Sequence, residues 1–317
     1  MLEKWAGLHL IVWAMILVRK YLCSKRCKCT ANIENKLIII TGATSGIGLA
    51  LAWELAKRGA CLTLACRDFY KANNLARKIR HSTGNSKITA ASLDLSSFEC
   101  ISTFAKTVID SKKPVFALIN NAGIFYAKPT RTPDGIEQTL QTNYLGPFLL
   151  TSLLLPALRK HDSSRIINIS SEAHLAVQDF PQEEFHQVFE DSSQNRFIAY
   201  QYSKFCLTLF TYCLRESLRS DKVKLICVNP GNTETNIFRT FPQLSHPVAF
   251  AIQKPIRFFL VNTPHEGIQS ILHGLLAKNP PFYIENLSEG QVNNLIYNPE
   301  FSLKLWRMSR EMCQKYL

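Results

Sequence analysis

The run Lys36-Leu-Ile-Ile-Ile-Thr41 passes without a break into Thr41-Gly-Ala-Thr-Ser-Gly-Ile-Gly48, and this junction constrains the fold more than any other part of the chain. The first half is a short β-branched apolar run, the pattern of a strand buried on both faces. After Gly48 a helical pattern continues to Arg58 and is closed by Gly59. The glycines therefore fall at a strand-to-helix turn. Gly42 permits the tight turn, Gly46 lets backbone approach a pyrophosphate, and Gly48 lets the helix pack on the strand. Thr44, Ser45 and Ile47 complete the turn, and the helix N-terminus that follows favours an anion. An ordinary glycine-rich turn is the competing reading, and the strand-to-helix context weighs against it.

The alternation continues along the chain. Strand-like runs at 60–66, 87–93, 114–119, 165–170, 223–228 and 282–285 are separated by helical patterns at 69–81, 98–112, 134–159, 200–218 and 267–276. Units of this kind predict an α/β fold, a single Rossmann-like doubly wound parallel sheet of about seven strands with helices on both faces. Residues 36–285 form that domain. Within it the Phe-rich stretch 236–262 is expected to be a lid over a lipophilic ligand, and residues 286–317 an amphipathic tail. Several residues at strand ends suit a dinucleotide. Arg67 lies nineteen residues after Gly48, where an acid would bind ribose hydroxyls and an arginine a 2′-phosphate. This favours NADP(H) over NAD(H), with Asp68 free to cap the next helix. Asp94, followed by Leu95, could accept from an adenine amino group or cap the turn at Ser96 and Ser97. Asn121, Ala122 and Gly123 are small residues after a strand and suit close backbone approach.

A hydrophobic content of 46% with 19% charged residues fits a protein with a real core. The formal charge of +13 asks for an anionic partner. No nucleic-acid module is present and the basic residues are dispersed except near the start, so a membrane surface and an anionic cofactor are expected rather than nucleic acid. Residues 5–18 are apolar apart from His9. As a helix they would reach about 21 Å, against about 30 Å of hydrocarbon. Trp5, Trp13 and Tyr21 can sit at the interface, and Arg19, Lys20, Lys25, Arg26 and Lys28 follow the apolar run. An uncleaved anchor at 1–22 is expected, with the rest of the chain cytosolic; an interfacial helix and a cleaved signal are the alternatives. A basic linker, 23–35, follows. Seven of the ten cysteines are scattered, which suits a reducing compartment. Cys23, Cys27 and Cys29 cluster in the linker, but no histidine or fourth cysteine stands near them in sequence, so no metal is expected. Plain thiols or S-acylation are the readings there.

Tyr200 and Lys204 are four residues apart, which on a helix puts both side chains on one face. A phenol beside an ammonium is a primed proton donor, because a neighbouring cation lowers its pKa. Taken alone, the pair could equally be a half-exposed helix face.

Taken together, Thr41-Gly-Ala-Thr-Ser-Gly-Ile-Gly48, Asn120-Asn-Ala-Gly123, Asn143, Ser170-Ser171, Tyr200-x-x-x-Lys204 and Pro230-Gly231 resemble the short-chain dehydrogenase/reductase family over about residues 36–285. Ala65-Cys-Arg-Asp68, Leu118-Ile-Asn-Asn-Ala-Gly123, Thr142-Asn-Tyr-Leu-Gly146, Phe148-Leu-Leu-Thr151 and Ser170-Ser-Glu-Ala-His174 look like its retinol dehydrogenase branch. The resemblance implies hydride transfer between NADP(H) and an alcohol or carbonyl. Tyr200 would exchange the proton, and Lys204 would lower its pKa and hold the nicotinamide ribose. Ser171, in preference to Ser170, would bond the substrate oxygen, and Asn143 would steady a water behind Lys204. Pro230, Gly231 and Thr233 would close on the nicotinamide amide, where Glu234 is an unexpected neighbour. Retinol or retinal is the first substrate class, steroids and lipid aldehydes the next. A membrane-bound enzyme of the endoplasmic reticulum, with homodimerisation in view, is the corresponding setting. A non-catalytic dinucleotide-binding scaffold is the rival of another class.

Overall fold

The computed structural model describes residues 25–125, 130–178, 195–231, 233 and 262–317. The expected anchor at 1–22, residues 236–261 of the expected lid, and Glu234 lie outside the described residues. Among the described residues no helix is long and apolar enough to cross a membrane.

In chain order the elements are β1 (Leu37–Thr41), α1 (Gly46–Lys57), β2 (Cys61–Cys66), α2 (Phe69–Thr83), β3 (Ile88–Ser92), α3 (Phe98–Asp110) and β4 (Val115–Asn120). Then come α4 (Gly146–Arg159), β5 (Arg165–Ile169), α5 (Arg196–Ser217), β6 (Lys224–Asn229), α6 (Pro264–Leu276), β7 (Tyr283–Glu285), β8 (Ser288–Glu289) and α7 (Pro299–Cys313). The strands form one eight-stranded sheet in the order β3-β2-β1-β4-β5-β6-β7-β8. All neighbours pair in parallel except the two-residue β8, which turns back on β7. That short antiparallel edge is the strand by which the sheet exceeds the seven expected. The chain reverses its direction of travel between β1 and β4, so a crevice opens above the carboxyl ends of these strands.

Burial explains the strand compositions. Every residue of β4 and β5 is buried, as is all of β1 after Leu37. One face of the sheet packs against α1, α2 and α6 through Leu51, Leu55, Ile79, Ile268 and Leu272. The other packs against α3, α4, α5 and α7 through Ile101, Phe148, Phe210, Leu305 and Met308. Each such side chain removed from water contributes roughly 1.5–3 kcal/mol. The last helix is part of this second core: Phe301, Leu305 and Met308 are buried, and Ser309 Oγ meets the Tyr144 hydroxyl at 2.6 Å. Helix starts are fixed by local chemistry. Asp68 and Ser97 accept from the N–H groups of Lys71 and Cys100, and Thr263 with Glu266 forms a reciprocal capping box.

The single helix expected over 134–159 is not what forms. Arg131 bridges Glu137, a short helical turn spans Gln138–Leu140, and Gln141–Leu145 makes a π-helical turn before α4 begins. Pro147 has no N–H to return to the Asn143 carbonyl, which removes the ordinary α-helical bond at that point. The wider turn also brings Gly146 against α3's leading loop. A Cβ there would lie 2.6 Å from the Leu95 carbonyl oxygen and 2.9 Å from Leu95 Cβ. Gly146→Ala is therefore expected to destabilise the protein by about 1–3 kcal/mol in urea unfolding.

Candidate active site

All the strands through β7 present their carboxyl ends on one edge, and the expected site residues gather there. At the end of β1, Gly42 (φ +68°) and Gly46 (φ +54°) hold left-handed backbone that a side chain disfavours. Gly48 is closed by proximity instead: a Cβ would sit 2.5 Å from both Asn121 Nδ2 and the Gly42 carbonyl oxygen. Ser45 takes the N-cap position of α1 in extended conformation without a side-chain cap. The first N–H groups of α1, at Gly46, Ile47 and Gly48, therefore have no hydroxyl in front of them, the arrangement an anion needs. Thr41 pins this turn to the end of β4. Its Oγ accepts from the N–H groups of Asn121 (3.0 Å) and Ala122 (2.9 Å), while Asn121 Nδ2 donates to the Thr41 carbonyl (2.9 Å). Beneath the turn the buried Cys66 thiol accepts from the Ala43 N–H at 3.2 Å and is bonded by Thr44 as well.

Tyr200 and Lys204 lie one turn apart on α5, with the ammonium 5.6 Å from the phenol ring centre. The Ser171 side chain is near enough to the Tyr200 hydroxyl to act on it, and it lowers the phenol's pKa. Lys204 is 5% exposed, and its Nζ donates to the Ile169 carbonyl oxygen at 2.8 Å. Burial pulls the ammonium down to about 8. Burial also pushes the phenol up to about 12, opposed by the Ser171 side chain. The expectation that Lys204 lowers the Tyr200 pKa is therefore outweighed in this geometry: desolvation of the phenolate dominates, and the ammonium is committed to a backbone oxygen.

Asn143 sits on the π turn and does not bond only to its own helix. Its Oδ1 accepts from Ile124 N–H (2.8 Å), and its Nδ2 donates to the Ile124 carbonyl (2.9 Å) and to Ser203 Oγ (3.0 Å). This ties α5 to the segment after β4. Gly123 completes the junction: a Cβ would lie 3.3 Å from Asn143 Oδ1 and 3.6 Å from Lys204 Nζ. Asn143, Gly123, Lys204, Tyr200 and Ser171 thus form one contiguous group. Phe125 stands edge-on to the Tyr200 ring at 4.8 Å and to Phe197 at 5.6 Å, giving the group an apolar flank.

The other expected residues are placed around this group. Arg67 directly follows β2 and is exposed, without a hydrogen bond or ion pair to another described residue. Asp68 caps α2, as its simpler reading anticipated. Asp94 Oδ1 accepts from both the N–H (2.9 Å) and the hydroxyl (2.6 Å) of Ser96, and Leu95 points into the core. Gly231 (φ +69°) follows half-buried Pro230, and the buried Thr233 hydroxyl donates to the Pro230 carbonyl at 3.0 Å. Ser170, the alternative to Ser171, is buried with its hydroxyl 2.7 Å from Thr208 Oγ1.

Sequence reasoning missed the supports. His174 is fully buried, and its Nδ1 lies 2.6 Å from the Ser171 carbonyl oxygen, which can only accept, so that nitrogen carries the proton. Asn293 donates to the carbonyls of His174 (3.1 Å) and Val177 (2.7 Å) and fixes the same turn. Nothing local marks Thr41, His174 or Asn293 for these tasks, since their partners lie far away in sequence. A separate cavity of about 1320 Å³, lined by residues such as Leu37, Leu62, Thr89 and Phe104, contains none of the site residues.

The short chain dehydrogenase family profile matches residues 36–181. Retinol dehydrogenase 11 of Homo sapiens is 36% identical over 82% of this chain and 79% of its own. Retinol dehydrogenase 13 of Homo sapiens is 36% identical over 97% of this chain and 93% of its own. The short-chain dehydrogenase of Sphingobium yanoikuyae, solved in complex with NADPH, superposes with a TM-score of 0.59 at 24% identity, covering 75% of this chain and 84% of that one. The chain belongs to the short-chain dehydrogenase/reductase family of oxidoreductases, in its retinol dehydrogenase-like branch.

Proposed function

We propose that this chain is a membrane-associated, NADP(H)-dependent oxidoreductase that interconverts a lipophilic alcohol and its carbonyl, with retinol and retinal as the first substrate pair and steroids or lipid aldehydes as the next. The observation that carries the proposal is the juxtaposition of Tyr200 and Ser171, with Lys204 one turn behind, beside a glycine turn that a Cβ would fill. The turn fits a dinucleotide: Gly42, Gly46 and Gly48 leave room for backbone approach, and the start of α1 offers N–H groups to a pyrophosphate. Asn121, Ala122 and Gly123 line the same crevice, with Pro230, Gly231 and Thr233 on its far side. Asp94 and the backbone of Leu95, whose side chain packs in the core, border the adenine end. When bound, the nicotinamide supplies or takes up the hydride.

The chain's own residues handle orientation and the proton. Ser171 and Tyr200 hold the substrate oxygen by two hydrogen bonds, which polarises a carbonyl and strengthens as charge develops on it. Tyr200 gives that oxygen its proton in reduction and recovers it in oxidation. Lys204 offers positive charge beneath the phenol and a donor to the nicotinamide ribose. Asn143 steadies a water behind Lys204 and fixes the Lys204 helix against the Ile124 backbone. The apolar edge made by Phe125 and Phe197 suits a substrate with little polarity beyond its reacting oxygen.

Arg67 is the proposed discriminator of NADP(H). An exposed guanidinium without a partner among the described residues can take a 2′-phosphate, a charge-assisted contact of about 1.5–3 kcal/mol. Arg67→Glu is accordingly expected to lower kcat/KM for NADPH by about 10–100-fold while leaving that for NADH nearly unchanged. A wild-type preference for NADH in a cofactor-paired assay would remove this role. Substrate class is tested on membrane-bound protein with NADPH and all-trans-retinal, a steroid ketone and an aliphatic aldehyde. Cofactor binding without turnover across that panel would favour the scaffold reading instead. Residues 1–22 supply the membrane attachment, with the catalytic domain on the cytosolic face of the endoplasmic reticulum. Deleting them is expected to release the protein from carbonate-washed membranes.

A further inference from the structure

The arm that precedes β1 carries Cys27 and Cys29, and α6 carries His273, 244 residues beyond Cys29. The sequence reading that no histidine stands near these cysteines does not survive folding. Cys29 Sγ lies 3.6 Å from His273 Nδ1. Both sulfurs and that nitrogen lie within 4.8 Å of one another, the one group of three His, Cys, Asp or Glu ligand atoms so arranged among the described residues.

The surroundings hold the arm in register. The Cys27 N–H donates at 3.0 Å to Gln269 Oε1, one turn before His273 on the same helix. The Cys29 carbonyl accepts from Arg58 Nη1 at 3.5 Å. The Cys29 N–H donates to Cys27 Sγ at 3.5 Å and so holds the two cysteines in one turn. Neither sulfur is in a disulfide. Tetrahedral zinc, with about 2.3 Å to sulfur and about 2.0–2.1 Å to nitrogen, places S and N about 3.5 Å apart and two sulfurs about 3.8 Å apart. The observed Cys29–His273 spacing already matches the first of these.

We propose that Cys27, Cys29 and His273 bind one zinc ion through two thiolates and an imidazole, leaving a fourth position for water or a further ligand. The set is borderline-soft, the kind that takes zinc rather than magnesium, calcium or manganese. Two thiolates balance the ion's charge, so the half-buried site gains no net charge on loading. The ion would fasten the N-terminal arm to α6 and fix where the preceding residues leave the domain. This site lies apart from Tyr200 and Lys204 and does not depend on the oxidoreductase proposal.

The test is the metal content of the full-length protein purified under reducing, chelator-free conditions. About one zinc per chain is expected, falling at least ~10-fold in Cys29→Ser and in His273→Ala. Titration of the metal-free wild type with cobalt is expected to give thiolate-to-metal charge-transfer absorption and tetrahedral d–d bands, a readout that needs no variant to fold. Zinc content unchanged in Cys27→Ser/Cys29→Ser/His273→Ala, a cobalt spectrum without sulfur bands, copper in place of zinc, or a mass deficit of two hydrogens from a Cys27–Cys29 disulfide would each overturn the proposal.

Discussion

Replacing Tyr200 with phenylalanine is expected to lower kcat by about 10²–10⁴-fold, the range general acid–base groups supply, while the dinucleotide binds almost as before. The substitution keeps the ring, and with it the edge-on packing against Phe125 at 4.8 Å. It removes only the hydroxyl and its interaction with Ser171. Loss of turnover with retained cofactor affinity would separate proton transfer from binding. The phenol's elevated pKa, about 12, keeps it protonated throughout the neutral range. As it stands, the group is a donor, suited to reduction of a carbonyl. Unimpaired turnover in Tyr200→Phe would move the proton-transfer role to another residue.

Lys204→Met has its clearest signature in stability. Burial pulls the Lys204 ammonium from 10.5 to about 8. The folded-state pKa is thus below the unfolded one, so between about pH 8 and 10.5 the unfolded chain binds more protons. Stability contributed by this residue therefore rises with pH across that window and is at its lowest below pH 8. A shift of this size corresponds to about 3 kcal/mol. The difference in unfolding free energy, Lys204→Met minus wild type, is expected to be most favourable to the variant below pH 8 and to shrink by about that amount toward pH 10.5. Urea unfolding of both proteins across this range, without added dinucleotide, measures it. A pH-independent difference would mean that the ammonium is better solvated than its 5% exposure implies. Activity is lost in parallel, since the variant has no charge to offer the phenol.

The elements that could be read from the sequence were those whose cause is local. The strand–turn–helix of 37–57 announces itself through a β-branched run, two left-handed glycines and an apolar helical face. Tyr200 and Lys204 were legible as a spacing, because one helix carries both. Features set by distant partners were not. The break at Gln141–Leu145 follows in part from Pro147, but its purpose, carrying Asn143 to Ile124 and Ser203, depends on residues up to 60 positions away. The Lys204 ammonium was expected to answer to the phenol and to the nicotinamide ribose, and the Ile169 carbonyl that also claims it belongs to β5. The pairing of His273 with Cys29 joins the two extremes of the sheet-forming chain, and no window along the sequence contains both.

Helix α6 has a consequence that reaches both ends of the molecule. Near its start, Gly267 leaves a gap so narrow that a Cβ would meet the Thr233 hydroxyl at 2.7 Å; at its middle and in its last turn stand Gln269 and His273, gripping the arm before β1. A single stiff rod therefore connects the arm before β1 to Thr233, just past the Pro230–Gly231 turn.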